Sequence, residues 1–421
     1  MRLRIWPRHV IAAILVASSM VTLAGCATVP RNALPVELAD TARVEDFGRV
    51  RIWGDASIKQ IDDIVAQEAP EIQRRSLARI RAGGEPTTDY LAISGGGEDG
   101  AFGAGLLSGW SKAGSRPQFD LVTGISAGAL IAPFAYLGPR HDRELKEIFS
   151  KYTPDQIYTS SILPGLFGGP ALADSDPLAR LIAHYVDRRF LNEIASERKK
   201  GRILLIGTTN LDAQRPVLWD MGRIAMSRSP EAVALFQRIL LASASIPGVF
   251  PPVHISVHAD GHAYEEMHVD GGVTQQVFLL PSRLMFGELD RAVGMKVDRR
   301  LFIIRNGKVT PEWKAVAADA LSITGRSVST LIKSQGIGDL YRLRYIAVRD
   351  GLDYNLATIP GSFDREAPVP FDRKYMQALF EVGFNLGASG YNWRKAPPGF
   401  EASDTRSDAS VGRPSTVQIA N

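Results

Sequence analysis

Short apolar runs and helix-spaced runs alternate along this chain, and glycines stand where the first kind gives way to the second. Residues 90–94 (YLAIS) read as a strand and 100–113 as a helix; the spacing then predicts a strand over 119–123 and a helix from Ala127. Residues 202–208 (RILLIGT) and 301–305 (LFIIR) read as further strands. A helix over 231–243 offers Val233, Leu235, Ile239 and Leu240 to a core, and Tyr375, Leu379, Val382 and Leu386 recur about once per turn on a closing helix. Strand then helix, repeated, implies an α/β three-layer sandwich with a largely parallel central sheet. Sites in such sheets lie at the carboxyl ends of strands, where both glycine-rich turns fall.

The two ends of the chain read differently. Residues 1–25 have the form of a secretory signal, with Arg2, Arg4 and Arg8 ahead of an apolar run that closes on LAGC. Without that segment the charge is nearly balanced, 46 basic against 45 acidic side chains, so nucleic-acid binding has no electrostatic support. Cys26 is the only cysteine, which excludes an internal disulfide and a cysteine-based metal site. Residues 26–49 read as the start of the mature chain and a tether, 50–87 as an N-terminal helical region, and 88–285 as the core of the domain. Residues 286–400 complete it with strands and helices, and the Ser/Thr/Asp-rich stretch 401–421 is expected to be disordered.

The chemistry centres on FDLVTGISAGALIAPFAYLG, residues 119–138. In GISAG the serine follows a strand and precedes a helix, the arrangement in which a sharp turn presents a hydroxyl to a cleft. Gly124 and Gly128 have a reason there, because the turn brings neighbouring backbone too close for a side chain. Ser126 also stands at a helix N-terminus, which favours developing negative charge. Alone, the pentapeptide arises by chance in about one such chain in four, and a plain N-cap serine is an equal reading.

The second element is SGGGEDGAFGAG, residues 94–105. Gly95, Gly96 and Gly97, between a strand and a helix, expose backbone N–H groups toward one point, as an oxyanion hole requires. Gly95 to Gly100 also fit G-x-G-x-x-G, the form of a dinucleotide loop. That reading fails on two counts: the second strand has no acidic residue at its end, and Glu98 and Asp99 would repel a pyrophosphate. A base remains to be found. Asp270, in His268-Val269-Asp270-Gly271-Gly272, is a carboxylate in a glycine turn, where Gly271 and Gly272 permit close backbone approach and leave a gap for substrate. All three motifs in this order arise by chance in only about 0.003 of such chains.

With these motifs the sequence resembles the patatin-like phospholipase family over roughly residues 88–285. The resemblance implies that Ser126 is the nucleophile and Asp270 the base of a Ser-Asp dyad, with Gly95, Gly96 and Gly97 holding the oxyanion and Gly100, Gly124, Gly128, Gly271 and Gly272 supporting the motifs. Residues 243–248 (SASIPG), 250–253 (FPPV) and the strand around Thr208 and Thr209 resemble further segments of that family. Family members usually carry Arg before the last glycine of the loop, where this chain has Asp99. The implied activity is acyl-ester hydrolysis on a lipid or phospholipid, with no cofactor and no metal. LAGC likewise resembles a bacterial lipobox, which implies lipidation of Cys26 and a membrane anchor; Ala27 after it favours the outer membrane, facing the periplasm. Residues 160–172 (SSILPGLFGGPAL) read either as a flap meeting acyl chains or as buried packing. Two rivals stay open: an α/β-hydrolase with a Ser-Asp-His triad using His254 or His258, and a non-catalytic lipoprotein scaffold.

Overall fold

The computed structural model describes residues 31–160 and 173–400. Residues 1–30, where the signal is expected and Cys26 stands, most of the apolar stretch before Ala173 and the tail after Phe400 lie outside the described residues. Nine strands build the main sheet: β1 (Arg51–Trp53), β2 (Thr87–Ile93), β3 (Leu121–Gly124), β4 (Ile203–Asn210), β5 (Arg215–Asp220), β6 (Val253–Ala259), β7 (His262–Asp270), β8 (Asp298–Arg305) and β9 (Asp353–Thr358). The principal helices are α1 (Ile58–Arg81), α2 (Gly100–Lys112), α3 (Ala127–Leu137), α4 (Asp142–Ser150), α5 (Asp176–Tyr185), α6 (Arg188–Lys199), α7 (Ala232–Ser243), α8 (Ala320–Asp350) and α9 (Arg373–Ala388). The alternation read from the sequence therefore holds, with boundaries shifted by a few residues.

The path through the sheet is β1-β5-β4-β3-β2-β8-β9. Its centre, from β4 to β9, is parallel, and β1 and β5 add an antiparallel edge. β2 and β3 are buried along nearly their whole length, which is why they read as continuous apolar runs rather than as alternating ones. Two apolar layers cover the faces. One joins Phe102, Leu106, Phe134 and Phe149 beneath α2, α3 and α4; the other joins Ile61, Ile72, Phe286 and Leu340 beneath α1 and α8. α2 and α9 approach so closely that a Cβ at Gly105 would lie 2.1 Å from the Phe380 carbonyl oxygen, and one at Gly383 2.3 Å from that of Phe102. Glycine at these positions admits the contact.

One exchange of partners decides where the site forms. β3 pairs with β4 only as far as Gly124 opposite Ile206. β5 occupies the other edge of β4 over its whole outer half. The edge that β3 leaves is taken up by β7, antiparallel, with Asp270 opposite Thr208. The carboxyl end of β3 and the carboxyl end of β7 are thus set beside one another on the same side of β4.

The expected tether departs from its reading. Ala42, Val44 and Val50 are buried, Ala33 bridges to Glu265 and Arg43 to His258, so residues 33–50 run along the β6-β7 hairpin as part of the fold. Their apolar residues lack periodicity because they pack singly against an existing surface. Among the described residues no helix is long and apolar enough to cross a membrane.

Candidate active site

Ser126 sits at φ 55° and ψ −125°, a left-handed conformation in a residue with a side chain. Such backbone costs about 1–3 kcal/mol and persists only where the surroundings impose it. Here the imposing contacts are visible. A Cβ at Gly124 would stand 2.3 Å from the Gly128 carbonyl oxygen, and one at Gly128 2.4 Å from that of Ile93. The Ser126 amide donates to Ser243 Oγ at 3.0 Å, and Ser243 Oγ donates to the Gly207 carbonyl at 2.7 Å, tying the elbow to α7 and β4. The Ser126 hydroxyl makes no capping bond, so the N-cap reading does not describe it.

Asp270 ends β7 and is buried. Its Oδ1 accepts from the Gly272 amide at 2.7 Å and its own amide donates to the Ser245 carbonyl at 2.9 Å. Oδ2 has no hydrogen-bond partner of ordinary geometry among the described residues, while the Ser126 hydroxyl lies close enough to act on the carboxyl. Burial pushes the carboxyl up to about 7, with Ser126 and the Gly272 amide offsetting part of the rise. Desolvation dominates because no cation among the described residues lies near enough to favour the charged form. Side chains 144 positions apart in the sequence are therefore brought side by side.

The glycine loop follows β2. Gly95 stands against Ser126, so close that a Cβ added to it would lie only 3.1 Å from the serine Cβ. Its amide, however, donates to the Gln276 carbonyl at 3.1 Å, so it is occupied and, contrary to the expectation from the sequence, does not point free into the cleft. The amides of Gly96 and Gly97 meet no acceptor among the described residues. A Cβ at Gly96 would fall 2.2 Å from the Asn306 carbonyl oxygen, which is the reason for glycine there. Gly100 is likewise crowded by Phe149. Gly271 packs on the backbone of Gly207, but the space beside Gly272 is filled by the Gln276 amide rather than left as a gap for substrate.

The acidic pair of the loop is accommodated by the chain's C-terminal part. Glu98 accepts from the Phe371 amide at 2.7 Å, and Asp99 accepts from the Tyr375 hydroxyl at 2.6 Å. Burial pushes Asp99 up to about 6; the Tyr375 bond works against the rise and Glu98 adds to it. A small apolar cavity of about 50 Å³ opens beside Ser126, lined by Gly97, Ala127, Leu130, Phe149, Ile246 and Met376 among others. A larger cavity of about 280 Å³ lies under α1, bordered by Arg43, Ile52, Ile61 and Leu284; it contains neither Ser126 nor Asp270. The smaller cavity has Ser126 in its wall, and Asp270 lines neither of the two.

The late histidines are accounted for elsewhere. His254 faces Glu265 at the surface, and the half-buried His258 faces Glu45. His268 is fully buried between Thr208 Oγ1 and Glu266 Oε2, each 3.0 Å away. Burial lowers its pKa, which favours the neutral ring, and a carboxylate on one side and a hydroxyl on the other suit a ring that donates to Glu266 and accepts from Thr208. Glu266 is also paired with Arg51; burial would raise its carboxyl, and the bonds from His268 and Arg51 bring it down to about 2. No histidine among the described residues contacts Ser126 or Asp270, which removes the Ser-Asp-His triad.

A family model of patatin-like phospholipases matches residues 91–281, from within β2 to beyond the Asp270 turn. Residues 91–281 are a patatin-like phospholipase domain. Two patatins of Solanum tuberosum align with part of it. Patatin group J-1 is 26% identical over 162 residues, covering 37% of this chain and 39% of that protein, and Patatin-11 is 26% identical over 159 residues with the same coverage. The chain thus matches about two-fifths of the length of these relatives. Among solved structures, VipD from Legionella pneumophila superposes with a TM-score of 0.38 at 12% identity, over 73% of this chain and 67% of that one. Human GIVD cytosolic phospholipase A2 superposes with a TM-score of 0.28 at 10% identity, over 76% and 55%. Within the patatin-like domain the sequence motifs marked Ser126 and Asp270. Ser243 and Ser245, which hold the elbow and the acid, lie in the SASIPG segment that resembled the family but carried no role of their own there, and Gln276, which holds the loop, lay outside every motif, a few residues after the Asp270 turn.

Proposed function

We propose that this chain is a lipid acyl hydrolase that cleaves acyl esters with Ser126 as nucleophile and Asp270 as base. The observation that carries the reading is the strained, buried Ser126 beside the Asp270 carboxyl, whose Oδ2 has no hydrogen-bond partner of ordinary geometry among the described residues. Asp270 takes the hydroxyl proton as Ser126 Oγ bonds to the ester carbonyl carbon, and the carbonyl oxygen becomes an oxyanion. The free amides of Gly96 and Gly97 and the N-terminus of α3 are the donors that hold this charge. Collapse expels the alcohol, which leaves with the proton from Asp270. Water then attacks the acyl-serine, releasing a carboxylic acid and restoring the hydroxyl. A carboxylate is a weak base for a serine hydroxyl, and raising it to about 7 narrows that mismatch.

The apolar lining of the small cavity supports an acyl chain as the group bound next to Ser126. The basic start, apolar run and LAGC of residues 1–26 support a lipidated Cys26 that anchors the protein to the bacterial envelope, with the outer membrane favoured by Ala27. A fluorophosphonate probe tests the nucleophile without knowledge of the substrate. Labelling at Ser126, lost in Ser126→Ala together with ester hydrolysis, is the expected result; unlabelled wild-type protein rejects the reading and favours a binding role for the domain. Membrane fractionation of Cys26→Ser tests the anchor, with release into the soluble fraction expected.

A further inference from the structure

A cation that does not come from the glycine loop touches its backbone. Arg305, the last residue of β8, is buried at 5% exposure, and among the described residues no carboxylate lies within ion-pair distance of its guanidinium. Burial lowers its pKa; Asp99, Asp339 and Glu312, farther off, offset part of that cost. A buried cation lacking a contact ion pair is expensive to keep, so its polar contacts merit a functional explanation. Nη1 donates to the Gly95 carbonyl at 3.2 Å and to Ser94 Oγ at 3.1 Å. Ser94 Oγ in turn donates to the same Gly95 carbonyl at 2.7 Å and accepts from the Asn306 amide at 2.9 Å. The β8 end therefore converges, directly and through Ser94, on one carbonyl oxygen.

That oxygen belongs to the peptide group whose N–H is that of Gly96. A trans peptide is planar, with C=O and N–H pointing in opposite directions. Donors gathered on the Gly95 oxygen thus fix the direction of the Gly96 N–H away from β8. They also polarise the peptide, because hydrogen bonds along a chain strengthen one another and a charged donor strengthens them most. The Asn306 carbonyl packed on the Gly96 Cα closes the β8 side of this residue.

We propose that Arg305 is a positioning residue for the oxyanion hole, aiming and polarising the Gly96 amide toward the carbonyl oxygen of an ester held at Ser126. The proposal rests on Ser126 as nucleophile. Arg305 touches no substrate; it acts through the Gly95–Gly96 peptide, and its effect belongs to the transition state, when the oxygen carries charge.

The test compares wild type, Ser126→Ala, Arg305→Lys and Arg305→Gln with a soluble p-nitrophenyl ester, on the folded fraction measured by thermal unfolding. Removing one oxyanion donor outright costs about 10²–10³ in kcat, so weakening one through Arg305→Gln is expected to cost about 10- to 100-fold with little change in KM. Arg305→Lys, which keeps a charged donor, should recover part of that loss. Affinity for a trifluoromethyl ketone, which forms an oxyanion on Ser126, should fall in step with kcat, whereas an unreactive ether analogue should bind as before; a merely structural role would not separate the two. Wild-type kcat in both folded variants overturns the proposal while leaving Ser126 in place if Ser126→Ala is inactive. Should neither variant fold, the amide resonance of Gly96 in the wild type decides: a downfield shift on forming the trifluoromethyl ketone adduct supports the proposal, and an unmoved resonance overturns it. A wild type with no Ser126-dependent turnover removes the reading on which all of this rests.

Discussion

Replacing Asp270 by Asn should stabilise the protein and silence it, and the stabilisation should depend on pH. The carboxyl rises from 3.8 to about 7 on folding because it is buried. The native state therefore holds this proton more tightly than the unfolded chain, so the group's contribution to stability is complete at low pH and is lost as pH rises toward about 7. At about 1.36 kcal/mol for each unit, the ionised carboxylate costs the native state about 4 kcal/mol above pH 8 and about 2 kcal/mol at pH 5. Asp270→Asn carries no such cost, and its gain over wild type should grow by about 2–3 kcal/mol between pH 5 and pH 9 and then level off. Urea unfolding followed by circular dichroism at a series of pH values measures this directly. Over the same range wild-type kcat/KM should rise through about pH 7 as the base loses its proton, while the variant loses about 10²–10⁴ of the activity. A stability difference that stays constant from pH 5 to pH 9 would refute the assignment of Asp270 as a desolvated carboxyl.

Two further outcomes follow from the groups around the site. Glu266→Gln removes the carboxylate shared by Arg51 and His268 and leaves a buried guanidinium without its partner, so it should destabilise by about 3–5 kcal/mol, read as a lowered urea midpoint, with the kcat of the folded fraction close to wild type. His254→Gln and His258→Gln alter side chains paired to Glu265 and Glu45; esterase assays should show both within about twofold of wild type, and a dead variant of either would return a histidine to the mechanism.

Features with local causes could be read from the residues alone. Strand and helix signals are set by burial and by period, so YLAIS, RILLIGT and LFIIR were legible as strands, and the turn glycines of GISAG could be reasoned from the crowding that an elbow creates. Asp270 was legible as an acid in a glycine turn, and the order of the three motifs carried the resemblance to the patatin-like family. What the sequence did not hold is the effect of partners that meet across the fold. β5 and β9 have a pairing set by neighbouring strands, whereas the β6-β7 hairpin has a local signal of its own, Asp260-Gly261 at positive φ after an alternating run, that the strand and helix runs above do not include. That Gly95 is spent on Gln276, that Asp99 is met by Tyr375, and that residues 33–50 lie along β6 and β7 are all contacts between distant segments. Only the tertiary structure brought Ser126 to Asp270 and set Arg305 behind the glycine loop. The reason is geometric: β7 takes over the edge of β4 where β3 stops, and β8 runs parallel to β2 with Ile304 opposite Ile93, so each strand end delivers its last side chain to one place.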